Sequence, residues 1–388
     1  MSKNIIIKYI LPAAVTFTLL VGGAILAVAV TCGFGEEPPP DITIFAGDDN
    51  IQLLGESNSH LPVLGDLDGD GDLDAFITNV EESNTLWLND GTGTFASGGV
   101  VFDNSRSWRV SLGDLDGDGD LDAFVANSPA QANQVWINDG SANFDYGGQN
   151  LGKSDSLGID LGDLDSDGDL DAFVANSGFN HVWFNDGLGK FTIGGQALGK
   201  NDSRGVELGD LDNDGDLDAF VANANGGNRI WINNGSGRFT DSGNSLGNSS
   251  SHFISLGDLD NDGDLDAFIA NFDQPNKSWL NDGFGKFTDS GHVPDESYSD
   301  KVAMDDSTGV ALGDLDDDGD LDAFVTNFGE SNNLWINNGS GIFTYSGRDF
   351  GNWNSMGVAL GDLDNDGDLD AFVTNAKTAN HVLINSFK

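Results

Sequence analysis

Cysteine is almost missing from this chain of 388 residues, with Cys32 the single one. No intrachain disulfide can form, so something other than a covalent cross-link must brace the fold. Basic residues are scarce as well. Sixteen Lys and Arg stand against 64 Asp and Glu, for a formal charge of −48. A nucleic-acid partner needs a positive footprint for its phosphates, and this composition excludes one. Sustained helical periodicity is lacking after residue 40. The five histidines stand apart from one another, with no His/Cys grouping of zinc or copper type.

Residues 1–40 differ in kind from the rest. Lys3 and Lys8 flank the start of an uncharged apolar run over 10–31, followed by Cys32, Glu36, Glu37 and three prolines. A basic start, an apolar stretch and small residues at Ala27 and Ala29 describe an export signal. The run, about 22 residues long, also suffices for a helix spanning a bilayer. Both readings of 1–32, cleaved signal peptide or retained membrane anchor, place the bulk of the chain outside the cytoplasm, because the lysines stay inside. Residues 33–41 form a linker. Thr31 before Cys32 is larger than a lipoprotein signal favours.

Residues 42–388 form one array. The nonapeptide at 66–74, Asp-Leu-Asp-Gly-Asp-Gly-Asp-Leu-Asp, returns with small changes from Asp114, Asp163, Asp210, Asp258, Asp314 and Asp362. The spacings are 48, 49, 47, 48, 56 and 48 residues, a period of stacked units or a propeller. Each unit reads as four short strands. The first ends in Leu-Gly before the motif. The second is Leu-Asp-Ala-Phe-Val/Ile-Ala/Thr-Asn. The third centres on Trp87, Trp136, Trp183, Trp231, Trp279 or Trp335, with Leu383 in the last copy, and the fourth opens on Phe after a Gly-x-Gly turn. Asn-Asp-Gly and Asn-Asn-Gly turns between such strands mark antiparallel hairpins. The expected fold is all-β: a seven-bladed β-propeller with four-stranded antiparallel blades. The last unit lacks a fourth strand, and residues 42–51 are expected to supply it, closing the ring and hiding its edge.

Oxygen donors at alternate positions of a tight loop suit a hard cation of calcium size. The candidate ligands are Asp66, Asp68, Asp70, Asp72 and Asp74; Asp114, Asp116, Asp118, Asp120 and Asp122; Asp163, Asp165, Asp167, Asp169 and Asp171; Asp210, Asp212, Asp214, Asp216 and Asp218. The later copies add Asp258, Asp260, Asp262, Asp264 and Asp266; Asp314, Asp316, Asp318, Asp320 and Asp322; and Asp362, Asp364, Asp366, Asp368 and Asp370. By analogy with half an EF-hand loop, positions 1, 3, 5 and 9 offer carboxylates and position 7 its backbone carbonyl. Gly at position 6 permits the positive φ of the turn. Position 12 is not Glu and no helices flank the loop, so this is no EF-hand. About seven structural Ca2+ sites, one per blade, are expected. They would staple an exported domain that has no disulfide.

The repeated Asp-x-Asp-x-Asp-Gly-x-x-Asp loop resembles the FG-GAP/VCBS repeats of the integrin α-chain propeller family. The resemblance spans 42–388 and implies calcium in the loops and ligand recognition by the propeller. All seven units here carry the loop, whereas integrin propellers carry it in some blades, and no leg domains follow. Fungal-type propeller lectins are also similar.

Strand parity puts the acidic loops and Gly-x-Gly turns on one face. The units differ on the other. Six residues before each motif stand His60, Trp108, Leu157, Arg204, His252, Thr308 and Met356, each after a Ser. A second varied register holds Thr85, Gln134, His181, Arg229, Lys277, Asn333 and His381. His60, Trp108, Arg109, Arg204, His252, Arg229, Lys277 and Trp353 are the candidate ligand-face residues, since Trp beside Arg is the composition of a binding hot spot. Asp160 and Glu207, three before their motifs, are expected to line the channel. No converging acid, base and nucleophile emerge, so no catalytic residue is assigned. The expected function is a surface-exposed or secreted recognition or adhesion module, a monomeric propeller binding an extracellular protein or glycan. The alternatives are a propeller enzyme acting on polysaccharide or phosphodiester, and a lectin with equivalent sites between blades.

Overall fold

The computed structural model describes residues 4–10, 14–18, 25–28, 45, 51–101, 106–292 and 306–385. Cys32 and the 33–41 linker lie outside them, as does most of the proposed closing segment 42–51. The chain divides into two compact units, Met1–Ile42 and Thr43–Lys388. In the first, Asn4–Ile10 pairs antiparallel with Ala14–Thr18 and parallel with Ile25–Val28. These strands stand where an apolar signal or anchor helix was expected. The segment is rich in Ile, Val and Thr, whose branched side chains favour extended backbone. No helix among the described residues is long and apolar enough to cross a membrane.

The second unit is all-β. Seven hairpins carry the nonapeptides in one register, with Gly65 opposite Asp74, Gly113 opposite Asp122, Gly162 opposite Asp171, and so on to Gly361 opposite Asp370. The second strand of each hairpin, Asp74–Asn79 for example, is buried throughout. A third strand pairs with it through the Trp register, as in Ala75 opposite Trp87, and a fourth follows, as in Trp136 opposite Tyr146. Three four-stranded sheets result, with one of six strands and one of seven. In the longer sheets, strands such as Leu198–Gly209 and Phe343–Gly361 run on from the end of one repeat into the start of the next.

One packing contact joins neighbouring repeats all the way round. The Gly before each motif has no room for a Cβ, which would stand 2.5–2.7 Å from the position-8 Leu of the next loop. Leu121 fills the space at Gly65, Leu170 that at Gly113, and finally Leu73 that at Gly361. The last contact returns to the first loop, so the repeats close into a β-propeller. Edge-on Phe pairs 4.9–5.8 Å apart follow the same path, from Phe76–Phe144 to Phe268–Phe343, with Phe95–Phe372 across the closure. The closing strand comes from the N-terminal side as expected, but its pairing residues are Ile51–Leu54, against Asn380–Leu383. Leu54 is buried in one cluster with Ile77, Phe95, Phe372 and Val382.

Candidate functional site

The acidic loops are folded by their own backbone amides. Asp66 accepts from Gly69 N at 2.8 Å and Gly71 N at 3.1 Å, and Asp70 accepts from Asp72 N at 3.0 Å. Asp74 is fully buried and accepts from Leu67 N and Asn89 N, tying the loop to the third strand. Position 6 takes the left-handed conformation, with φ 95° at Gly71. Position 4 does so too, at φ 59–62° for Ser166, Asn213, Asn261, Asp317 and Asn365. The signal for that was in the sequence: position 4 holds Gly, Ser, Asn and Asp, the types that tolerate this backbone.

Ligand atoms of positions 1, 3 and 5, or 1, 3 and 9, lie within 4.8 Å of one another, as in Asp66, Asp68 and Asp70, or Asp114, Asp116 and Asp122. One oxygen of position 3 is buried without a hydrogen-bond partner in six loops, at Asp116, Asp165, Asp212, Asp260, Asp316 and Asp364. A buried carboxylate oxygen turned towards other carboxylates fits a hard divalent cation as its partner. Burial first, then the neighbouring carboxylates, push Asp74 and Asp122 up to about 6, and Asp171, Asp266 and Asp370 to about 7. The position-7 side chains stand elsewhere. Those of Asp72, Asp120, Asp169, Asp216, Asp264 and Asp320 press on the Gly of the turn between third and fourth strands. Asp72, Asp264 and Asp320 also accept from Asn365, Asn213 and Asn261 of the preceding loop. These carboxylates are engaged away from the loop centre, and position 7 has its backbone carbonyl left to offer there.

At the opposite end of the inner strands, the register that varies between repeats gathers round the channel mouth. His60, Trp108, Leu157, Arg204, His252, Thr308 and Met356, with Phe272 and Phe328, line a recess of about 290 Å³. Phe328 stands 39% exposed at its rim. His60 and Trp108 meet edge-on at 4.5 Å, and His252 stacks on Phe272 at 5.0 Å. Burial, and then the neighbouring arginines, hold the imidazoles well below their usual range, His60 to about 3 and His252 to about 4. Both are neutral at physiological pH.

Arg109 departs from the expected exposed position. It is 8% exposed and lines both the recess and a channel cavity of about 420 Å³ below it. Its neighbour Trp108 points to the mouth, so strand alternation turns Arg109 the other way. The guanidinium lies 3.6 Å over the Phe253 ring and donates to the His252 carbonyl at 3.2 Å. Asp160 and Glu207 line the channel as expected and are held by backbone amides: Leu208 N donates to Asp160 at 2.8 Å and Leu256 N to Glu207 at 2.6 Å. Burial pushes Asp160 up to about 6, and burial with the Asp160 charge pushes Glu207 up to about 8.

The remaining face residues do not reach the mouth. Arg229 and Lys277 lie on third strands and pair across to Asp241 and Asp289 of the fourth. Trp353 stacks on His381 with centroids 3.7 Å apart. These three candidates of the varied face stand outside the recess, each held by a neighbouring strand. In the register five before each motif, Arg109, Phe253 and Leu61 stand among four glycines.

A family model described as an FG-GAP-like repeat matches six overlapping stretches, 66–125, 114–174, 163–221, 210–269, 258–325 and 314–373. No curated protein matches in sequence. Among solved structures the chain is similar to a lectin of Agrocybe aegerita that recognises non-reducing terminal N-acetylglucosamine, at 20% identity over 82% of this chain and 86% of that one, TM-score 0.53. It is similar to the BP39L lectin of Burkholderia pseudomallei at 12% identity over 84% and 95%, TM-score 0.61. It also resembles BBS1N, solved in complex with ARL6DN, at 10% identity over 87% and 96%, TM-score 0.58. At these identities the likeness is one of fold.

Proposed function

This chain belongs to the FG-GAP-like repeat family, and from that premise we propose that it is an exported, calcium-stabilised propeller of seven blades that binds its ligand at the channel mouth. The observation that carries the reading is the recess itself. The acidic loops and the strands around them are nearly constant, while the varied register six residues before each motif converges on a single apolar-walled hollow. Hollows of this make-up, with a few placed polar groups, are where small or protruding ligand groups bind. Seven blades are supported by the seven Gly–Leu contacts that close the ring. The two longer sheets are then pairs of blades joined by continuous strands.

Calcium would be held by positions 1, 3, 5 and 9 and by the carbonyl of position 7, and would supply the positive charge that the clustered carboxylates call for. This chain's own residues do the rest. Backbone amides orient the first and last Asp, and buried Leu at position 2 accepts from the next repeat, as Leu67 O does from Ala142 N at 2.8 Å and Asn138 Nδ2 at 2.9 Å. A loop closed by metal therefore braces two blades. Export rests on the basic and apolar N-terminal sequence.

The ligand class is an extracellular protein or a glycan, and binding, not turnover, is the activity. Lectins among the structural neighbours favour this, as does a recess lined by imidazole, guanidinium and apolar groups. The test is a glycan array and a panel of extracellular proteins, probed with the full chain in calcium. A partner whose binding Trp108→Ala abolishes, at unchanged melting temperature, is expected. Undiminished binding by Trp108→Ala, or turnover of a polysaccharide, would overturn the reading.

A further inference from the structure

Resting on that assignment of the mouth, we infer that the recess is built for a single carboxylate group carried on an apolar body. Five buried polar atoms around it have no hydrogen-bond partner: Trp108 Nε1, both ring nitrogens of His60, Arg109 Nε and Arg204 Nε. Buried polar atoms are almost always paired, so such a concentration in one hollow points to a missing partner. Neutral His60 offers one donor and one acceptor, and the other three are donors. The partner is therefore rich in acceptors.

Charge agrees. In a chain of net charge −48 the recess lining includes Arg109 and Arg204 and no Asp or Glu. Arg204 is paired with Asp202 at 2.9 Å, while Arg109 makes no ion pair within 4 Å among the described residues and shares the channel cavity below with Asp160 and Glu207. A cationic hollow in an acidic surface concentrates anions. A neutral sugar fits less well, because its hydroxyls need acceptors and Thr308 Oγ1 already donates to the Ser355 carbonyl at 2.8 Å.

Size and walls define the rest. About 290 Å³ between Leu157, Phe272, Phe328 and Met356 has room for a phenyl or branched aliphatic group together with its carboxylate. An adjoining hollow of about 350 Å³ shares His60, Trp108, Phe328 and Met356 and reaches Lys377. It gives a longer molecule a way out. The carboxylate can thus belong to a free acid or to the C-terminal residue of a peptide.

Titration calorimetry on the full chain in calcium separates these. The probes are 3-phenylpropionate, its amide, and a pentapeptide ending in Phe as free acid and as amide. Each acid is expected to bind about tenfold or more tightly than its amide, as charge-assisted bonds require. Arg204→Gln and, separately, His60→Asn are expected to weaken the acids by a larger factor than the amides and so narrow the acid-to-amide ratio, with melting temperatures preserved. A tighter peptide acid identifies a C-terminus as the source; equal affinities identify the free acid. Acid and amide binding alike, or neither binding at millimolar concentration, would overturn the inference. If the acids fail while Trp108→Ala still abolishes binding of an array partner, the carboxylate falls and the mouth stands. If Trp108→Ala abolishes nothing, both fall.

Discussion

Ser251 Oγ donates to Asn271 Oδ1 at 2.8 Å and accepts from Asn228 Nδ2 of the preceding repeat at 3.1 Å. The same pattern recurs at Ser107 and Ser307, and at Ser59 the Asn380 amide reaches across the ring closure. The unvarying Ser thus reads correctly from sequence as a structural hydrogen bond. Ser251→Ala leaves two buried amides short of a partner and should cost about 1–3 kcal/mol in chemical denaturation. Arg109 was legible as a cation but not in its direction, because which side of an inner strand meets the channel depends on how the ring closes. Glu207 gives a pH test. Its folded pKa, about 8, is raised above its ordinary value of 4.5, so its contribution to stability is full below that value and is lost as pH rises through about 8. Arg109 and Asp160 face it. Glu207→Gln should therefore be more stable than the parent above pH 8, by about 1–2 kcal/mol once the open channel is allowed for, and the difference should shrink towards pH 4.5. Melting curves of the two proteins across this range check it.

Hairpins were readable because alternation, Gly-rich turns and the Trp register are local signals. The approach of neighbouring inner strands was not. A Cβ on Gly158 would stand 3.0 Å from the Gly205 Cα, and one on Gly309 3.1 Å from the Gly357 Cα, distances set by partners some fifty residues away. Arg229 and Lys277 differ from the mouth residues in having local partners, Asp241 and Asp289, on the adjacent strand. Exposed pairs of this kind contribute about 0–1 kcal/mol, so Arg229→Ala and Lys277→Ala should leave ligand binding unchanged and stability nearly so. The closing strand is the element with the largest expected effect. A chain beginning at Gly55 loses Ile51–Leu54, bares the edge of Asn380–Leu383 and uncovers the cluster round Leu54. Size-exclusion chromatography should show association, and calorimetry a lower, broader melt; a monomer of parental melting temperature would refute the role given to that strand.

Across the whole propeller the two ends of the inner strands divide the work. One end repeats an acidic loop seven times and links each repeat to the next; the other gathers seven residues of six types into one hollow. The acidity that dominates the composition belongs to the scaffold, and the scarce cations Arg109 and Arg204 to the mouth. With one cysteine in the chain, the brace proposed for the scaffold is calcium. Each site held at a hundredfold excess over its dissociation constant adds about 2.7 kcal/mol to folding, and several sites act together. The direct measurement is calorimetric melting of the full chain in millimolar calcium and in excess EGTA. The account predicts a melting temperature higher by more than about 10 °C in calcium, with recovery when calcium is restored. Equal melting temperatures in calcium and in EGTA would contradict it.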